Sequence, residues 1–239
     1  MHRRTWRLIA PGLHHIRLDN TSTHLLNAYL WLDADGVTLI DTGATGSGSL
    51  LEKALRHVGR SPGDIRQIVL THFHEDHTGS AAEVAGWAGA RVIAGKGDAP
   101  CIRGDAPGPA PRFTAAEARL FATVSAGLPA APPCRVDQEA GDGDQLEIGD
   151  GTDVLCVPGH TPGSIALFVP ENRVLFAGDT IAESDGRILL GPFNVDRAQA
   201  WDSLHRQADM DVDIACFGHG NRVVGDASRA LRTATDALG

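Results

Sequence analysis

The sequence has 239 residues, 42% of them hydrophobic and 21% charged, which is enough apolar material for a buried core and excludes a disordered chain. The net charge is -9 and no run of basic residues occurs, so a nucleic-acid partner held by phosphate neutralisation is not expected. No apolar stretch approaches a membrane span, and the start, Met1-His2-Arg3-Arg4 leading to Pro11, is too short and polar for a signal-peptide core; a soluble, cytoplasmic protein without membrane contact is expected.

No linker divides the chain, which predicts one domain over 1–239. Short apolar runs at Leu13 to Leu18, Leu25 to Leu32 and Val37 to Ile40, separated by Asp19-Asn20 and by Asp33-Ala34-Asp35-Gly36, predict antiparallel strands. His14, His15 and His24 belong to these strands and turns. Asp41-Thr42-Gly43 ends the third strand, and Asp41 suits equally a tight turn or the orientation of a neighbouring metal ligand. Leu50, Leu51, Ala54, Leu55 and Val58 then recur at helical spacing, predicting an amphipathic helix closed by Gly59.

The apolar run Ile68-Val69-Leu70 leads into Thr71-His72-Phe73-His74-Glu75-Asp76-His77-Thr78-Gly79, and Ser80 to Val84 follows as the start of a helix. Any one of these histidines alone reads as a polar turn residue. Together they read as a metal site: imidazole nitrogen and carboxylate oxygen suit a borderline ion such as Zn(II), and alternation puts His72 and His74 on one side of an extended segment. Asp76 and His77 come where the backbone turns into the helix and face a second point, so the spacing suggests two neighbouring metals.

After the strand Arg91-Val92-Ile93-Ala94 the texture changes. From about 95 to 134 the chain is rich in Pro and Gly, with one helix opened by a Thr114/Glu117 capping box, and is expected to form a lid or pocket wall. Its apolar members Ile102, Phe113, Leu120 and Phe121 are expected mainly to pack the segment onto the body, with substrate contact the other role. Strands resume at Gln145 to Ile148 and Val154 to Val157, the second ending in Pro158-Gly159-His160. Ile165 to Val169 and Val174 to Ala177 lead to Gly178-Asp179-Thr180; a helix capped by Asp196 carries Trp201 and Leu204 inward; Ile214 to Phe217 ends in Gly218-His219-Gly220. Each time an apolar strand presents a ligand-type side chain at its tip, so His72, His74, Asp76, His77, His160, Asp179 and His219 share one rim. Cys101, Cys134, Cys156 and Cys216 show no close pairing and are expected to be free thiols, none of them a ligand.

THFHEDHTG, PGHTPGS, AGDT and FGHG stand in the order of the motifs of the metallo-β-lactamase superfamily, which the sequence resembles from about Leu8 to about Val224. The resemblance implies an α+β fold, a four-layer αβ/βα sandwich of two facing mixed sheets with helices on both outer faces. It implies a first metal at His72, His74 and His160, a second at Asp76, His77 and His219, and Asp179 bridging both. Aspartate at 179, where one class of lactam-hydrolysing members has a cysteine, and histidine at 74, where diiron oxygen reductases have a glutamate, point to the glyoxalase II and lactonase side. Glyoxalase II enzymes carry a helical C-terminal region that binds the glutathione part, whereas this sequence ends one helix beyond His219; lactonases use a tyrosine after the bridging aspartate, whereas the single tyrosine here is Tyr29.

The expected function is a dinuclear hydrolase, with hydroxide shared between two divalent ions attacking the carbonyl of a small-molecule ester, thioester, lactone or lactam, and Asp76 moving the proton. Zinc is the expected metal; iron and manganese suit the same donors. The alternative is an oxidoreductase similar to the persulfide dioxygenases, with one Fe(II) at His72, His160 and Asp179; a metal-binding module without catalysis is a third. The 95–134 excursion and the loop from Ser184 to Asn194 are expected to select the substrate.

Overall fold

The computed structural model describes residues 6–18, 25–125 and 127–239; the Asp19-Asn20 turn, His2 and His24 lie outside them. The first sheet has seven strands in chain order: β1 (Trp6–Ala10), β2 (Leu13–Arg17), β3 (Asn27–Asp33), β4 (Gly36–Ile40), β5 (Ile65–Leu70), β6 (Arg91–Gly95) and β7 (Gln138–Ala140). The first four are antiparallel neighbours, and β4 through β7 pair in parallel. The parallel strands need crossovers, supplied by α1 (Gly48–His57) and then by α2 (Glu75–Thr78) and α3 (Ala81–Ala88). Between β6 and β7 lie α4 (Ala99–Arg103) and α5 (Ala115–Val124).

A second sheet contains β8 (Gln145–Leu146), β9 (Thr152–Cys156), β10 (Ile165–Val169) and β11 (Val174–Phe176), with β14 (Ile214–Cys216) parallel to β11 and β15 (Val223–Val224) at its edge. β12 (Ile181–Ser184) and β13 (Arg187–Leu190) form a separate hairpin, after which come α6 (Arg197–Ala208) and α7 (Ala227–Leu231). Five strands were not foreseen: β1, β7, β12, β13 and β15. β15 follows the strand expected to be last, and β13 occupies what reads as a loop from Ser184; the turn Asp185-Gly186 has positive φ at both residues (51° and 79°), the geometry that lets a two-residue hairpin follow the strand twist.

Alternation along the strands sorts the core into layers. Leu39, Ile68, Leu70 and Val92 pack with Leu51 and Leu55 of α1 and Val84 of α3, while Ile40, Val69 and Ile93 point the other way, onto Ile165, Leu167 and Phe176 of the second sheet. On the far face of that sheet Leu155, Ala166 and Leu175 pack with Leu204 of α6 and Leu231 of α7. The order helix, sheet, sheet, helix is therefore the four-layer α+β sandwich expected. Strands so enclosed are buried on both faces, which is why β4, β5 and β10 are nearly continuous in apolar residues. The two expected helix caps form: the Thr114 Oγ1 accepts from Glu117 N and the Asp196 carboxylate from Gln199 N.

Candidate metal centre

All seven expected residues converge where β5, β9, β11 and β14 end. His72 and His74 extend from β5; Asp76 and His77 lie on α2, one turn on; His160, Asp179 and His219 come from the loops after β9, β11 and β14. Three overlapping groups, His72/His74/His160, His72/His77/Asp179 and Asp76/His77/His219, each place their candidate donor atoms within 4.8 Å of one another. The Asp179 Oδ2 stands 3.2 Å from His219 Nε2, 3.3 Å from His77 Nε2, 3.9 Å from His72 Nε2 and 4.0 Å from His160 Nε2.

These residues fit a metal. Donors at about 2.0–2.1 Å around a tetrahedral ion sit about 3.3 Å apart. His74 Nδ1 and His160 Nε2 are 3.0 Å apart, and His77 Nε2 and His219 Nε2 are 3.3 Å apart. His72 Nε2 and Asp179 Oδ1 are buried without a hydrogen-bond partner, a costly state for a protein interior that metal ligation relieves.

Electrostatics agree. Burial lowers the imidazoles of His72, His74 and His160, the last to about 3, leaving their lone pairs for a cation. At His77 and His219 burial acts the same way but is overcome by the carboxylates of Asp179 and Asp76, which hold His77 well above its usual value and His219 at about 9. Burial raises Asp179, and the facing His219 and His77 reverse it, so its carboxyl stays well below the usual range. The negative field that keeps protons on two imidazoles is the field that attracts a cation.

Asp41 orients two of the ligands. It takes a left-handed φ of 58°, accepts from Thr71 N (2.8 Å) and Thr71 Oγ1 (2.8 Å), and accepts from His77 Nδ1 (2.9 Å). With its hydroxyl proton given to Asp41, Thr71 Oγ1 accepts from His72 Nδ1 at 3.0 Å. Both rings are thereby fixed with Nε2 facing the centre. Of the two roles open to Asp41, the structure shows the orienting one.

Two supporting residues escaped the sequence reading. Asp98, fully buried, accepts from Phe73 N (3.0 Å), Gly163 N (2.7 Å) and Thr161 Oγ1 (2.6 Å), tying the loop of His72 and His74 to that of His160. Burial pushes its carboxyl up to about 6 against those three hydrogen bonds. Asn27 donates from Nδ2 to Phe217 O (2.8 Å) and Gly220 O (3.0 Å), bracketing His219. Gly218 is required: a Cβ there would lie 2.0 Å from Asp179 Oδ1 and 2.6 Å from His77 Cε1.

The rim opens into a cavity of about 1590 Å³. Both expected selector segments line it, the 95–134 excursion through Gly108 to Pro111 and α5, and the 184–194 segment through Leu189 and Phe193. Ile102 packs in the core as expected, whereas Leu120 and Phe121 line the cavity, the Phe121 ring also packing on that of Phe193. All four cysteines are free. No helix among the described residues is long and apolar enough to cross a membrane.

Residues 24–219 match the model of the metallo-beta-lactamase superfamily, and the chain belongs to that family. A hydroxyacylglutathione hydrolase of Rhodospirillum rubrum is 27% identical over 77% of this chain, and a probable metallo-hydrolase, YflN, of Bacillus subtilis is 26% identical over 92% of this chain and 88% of its own. The chain spans 61–62% of the length of the first hydroxyacylglutathione hydrolases it matches. Among solved structures, a metallo-beta-lactamase family protein from Thermus thermophilus superposes with a TM-score of 0.71 at 27% identity, covering 94% of this chain and 78% of that one.

Proposed function

We propose that this protein is a dinuclear metal-dependent hydrolase of a small-molecule ester, thioester, lactone or lactam. The observation that carries the reading is the pair of three-residue donor groups meeting at Asp179 on the floor of an open cavity. His72, His74 and His160 would hold one divalent ion and Asp76, His77 and His219 the other, with the Asp179 carboxylate available to both. Zinc suits this set of imidazoles and carboxylates best. When bound, such a pair of ions supplies a water acidic enough to act as nucleophile near neutral pH and polarises the carbonyl it attacks.

The protein's own groups do the rest. Asp41 and Thr71 hold His72 and His77 in the ligating tautomer, and Asp98 and Asn27 hold the loops that carry His160 and His219. Asp76, whose Oδ2 lies 3.2 Å from His219 Nε2, faces the cavity and accepts the proton of the attacking water. Water adds across the acyl bond, that bond breaks, and the proton passes from Asp76 to the leaving oxygen, sulfur or nitrogen, giving an acid and an alcohol, thiol or amine.

Elemental analysis of protein expressed with zinc, iron and manganese supplied, followed by an ester, thioester, lactone and lactam panel, tests this. About two zinc per chain with turnover is expected. One tightly held iron with oxygen uptake on a persulfide substrate would replace the hydrolase by the dioxygenase.

A further inference from the structure

The cavity above the donors is built of two unlike materials. Part of the lining is apolar: Leu120, Phe121 and Val124 of α5, Leu128, Leu189 and Phe193. The Phe121 ring lies 5.3 Å from that of Phe193 and 4.8 Å from that of Phe113, centroid to centroid, so the wall presents an aromatic cluster. Phe113 and Phe121 are 40% and 39% exposed, and they are half of the four exposed large hydrophobics among the described residues. Scattered exposed apolar side chains need no explanation, but clustered ones beside a reactive centre mark a ligand surface.

The rest of the lining is acidic. Glu75, Glu183 and Asp185 line the cavity in addition to the donor carboxylates, and Arg187 is the single lysine or arginine among the described lining residues. The Glu183 carboxylate is fixed there, accepting from Gly186 N and Asn221 N, each at 2.5 Å. Glutathione carries two carboxylates and one ammonium; whatever charge bound divalent ions would offset at the donors, the lining beyond them meets those carboxylates with three more, Glu75, Glu183 and Asp185, and with one guanidinium, Arg187. An uncharged substrate avoids that repulsion and gains from the wall, at about fourfold in affinity for each methylene it buries.

We propose that the site takes an uncharged ester, thioester or lactone bearing an apolar acyl chain or ring, seated on Phe121 and Phe193, and discriminates against glutathione conjugates. The proposal rests on the hydrolytic reading of the metal centre for its chemistry but not for its binding geometry.

Calorimetry on zinc-loaded protein with N-ethylacetamide, N-octylacetamide and S-methylglutathione tests binding. Turnover of S-acetyl- and S-octanoyl-N-acetylcysteamine and of S-acetylglutathione tests selection. N-octylacetamide is expected to bind at least about tenfold more tightly than N-ethylacetamide, and the octanoyl thioester to exceed the acetyl one in kcat/KM by about the same factor. S-methylglutathione is expected to bind no better than N-ethylacetamide, and S-acetylglutathione to react no faster than its N-acetylcysteamine counterpart. Phe121→Ala, at a partly exposed position, should reduce the octyl-to-ethyl ratio to about threefold or less, and Phe121→Lys should improve S-methylglutathione relative to the amides. A chain-length ratio near one, preference for either glutathione compound, or a ratio unchanged in Phe121→Ala would overturn the proposal. No turnover of any thioester, nor of any member of the ester, lactone and lactam panel, with the amide ratio intact would defeat the hydrolytic reading and leave the binding preference standing.

Discussion

The rim of donors and the wall above it are neighbours built on opposite plans. The rim residues leave strand ends or a short helix, and four contacts back them: Asp41 behind His77, Thr71 behind His72, Asn27 behind the His219 loop, Asp98 between the His72 and His160 loops. The wall hangs on α5, whose polar attachment is largely one residue, Glu117, accepting from Phe193 N and Arg197 Nη1. On the proposed function, chemistry that tolerates little displacement of the reacting groups would fall on the stiff part, and substrate selection on a segment whose exchange leaves the rim in place.

Removing the shared carboxylate should break this division most severely. Asp179→Ala takes away the group that both donor sets approach, so metal content should fall toward one ion per chain and hydrolysis by about a thousandfold or more. Elemental analysis and steady-state kinetics check both; two ions retained with normal turnover would sink the bridging role. One layer further out, Asp41→Asn keeps the shape but replaces an acceptor with an amide beside His77 Nδ1 and Thr71, and metal affinity should drop about 10–100-fold in a competition titration with a chelator. An unchanged affinity would show that the ligands need no orientation from behind.

The rim was legible in the sequence because its residues follow a rule that is local: an apolar strand, then a ligand-type side chain at its tip, repeated along the chain. Most strands and helices were legible for a similar reason, since doubly buried strands and amphipathic helices write their burial into short windows, whereas their stacking in four layers was implied by the motif resemblance. The supports were not legible. Asn27 is recognised only by carbonyls 190 and 193 positions away, and Asp98 by Phe73, Thr161 and Gly163, so no window of sequence contains their function. The β12–β13 hairpin was missed despite its signal, Asp185-Gly186 between residues that alternate in burial, because the apolar run Ile188 to Leu190 drew attention as loop lining. Leu120 and Phe121 were read as packing because an apolar helix face says that something covers it and not what.

The wall's attachment gives the next comparison. Glu117→Ala leaves every donor untouched and removes the acceptor of Phe193 N, Thr114 N and Arg197. Two zinc per chain should remain, KM for an apolar ester should rise about tenfold with kcat changed much less, and stability should fall by about 2 kcal/mol, less than for a fully enclosed pair because Arg197 is partly exposed. A fall in kcat matching the rise in KM would mean that the wall also positions the reacting bond.

The smallest expected effect lies behind the rim. His15, buried in β2, donates from Nε2 to Asn27 Oδ1 (2.7 Å), and Asn27 in turn grips the carbonyls on either side of His219. Burial, helped by the nearby charges of Arg17, Arg222 and Arg7, lowers His15 from 6.5 to about 4 against the hydrogen bond it donates to Asn27, which favours the charged form. The folded protein therefore holds this imidazole neutral while the unfolded chain protonates it first. Its contribution is complete above pH 6.5, is lost as the pH falls from 6.5 to about 4, and changes no further below that. Between about pH 7 and about pH 5.5 the loss should be about 1 kcal/mol. In zinc-containing buffer the metal ligands add their own pH dependence, so the quantity to measure is the difference between wild type and His15→Gln, whose amide can still donate to Asn27 but does not titrate. Denaturant unfolding at both pH values should show the wild type losing about 1 kcal/mol more than the variant on acidification. Parallel losses would mean that His15 is protonated, or solvated, in the folded state, and that the support beneath His219 is looser than the rim it carries.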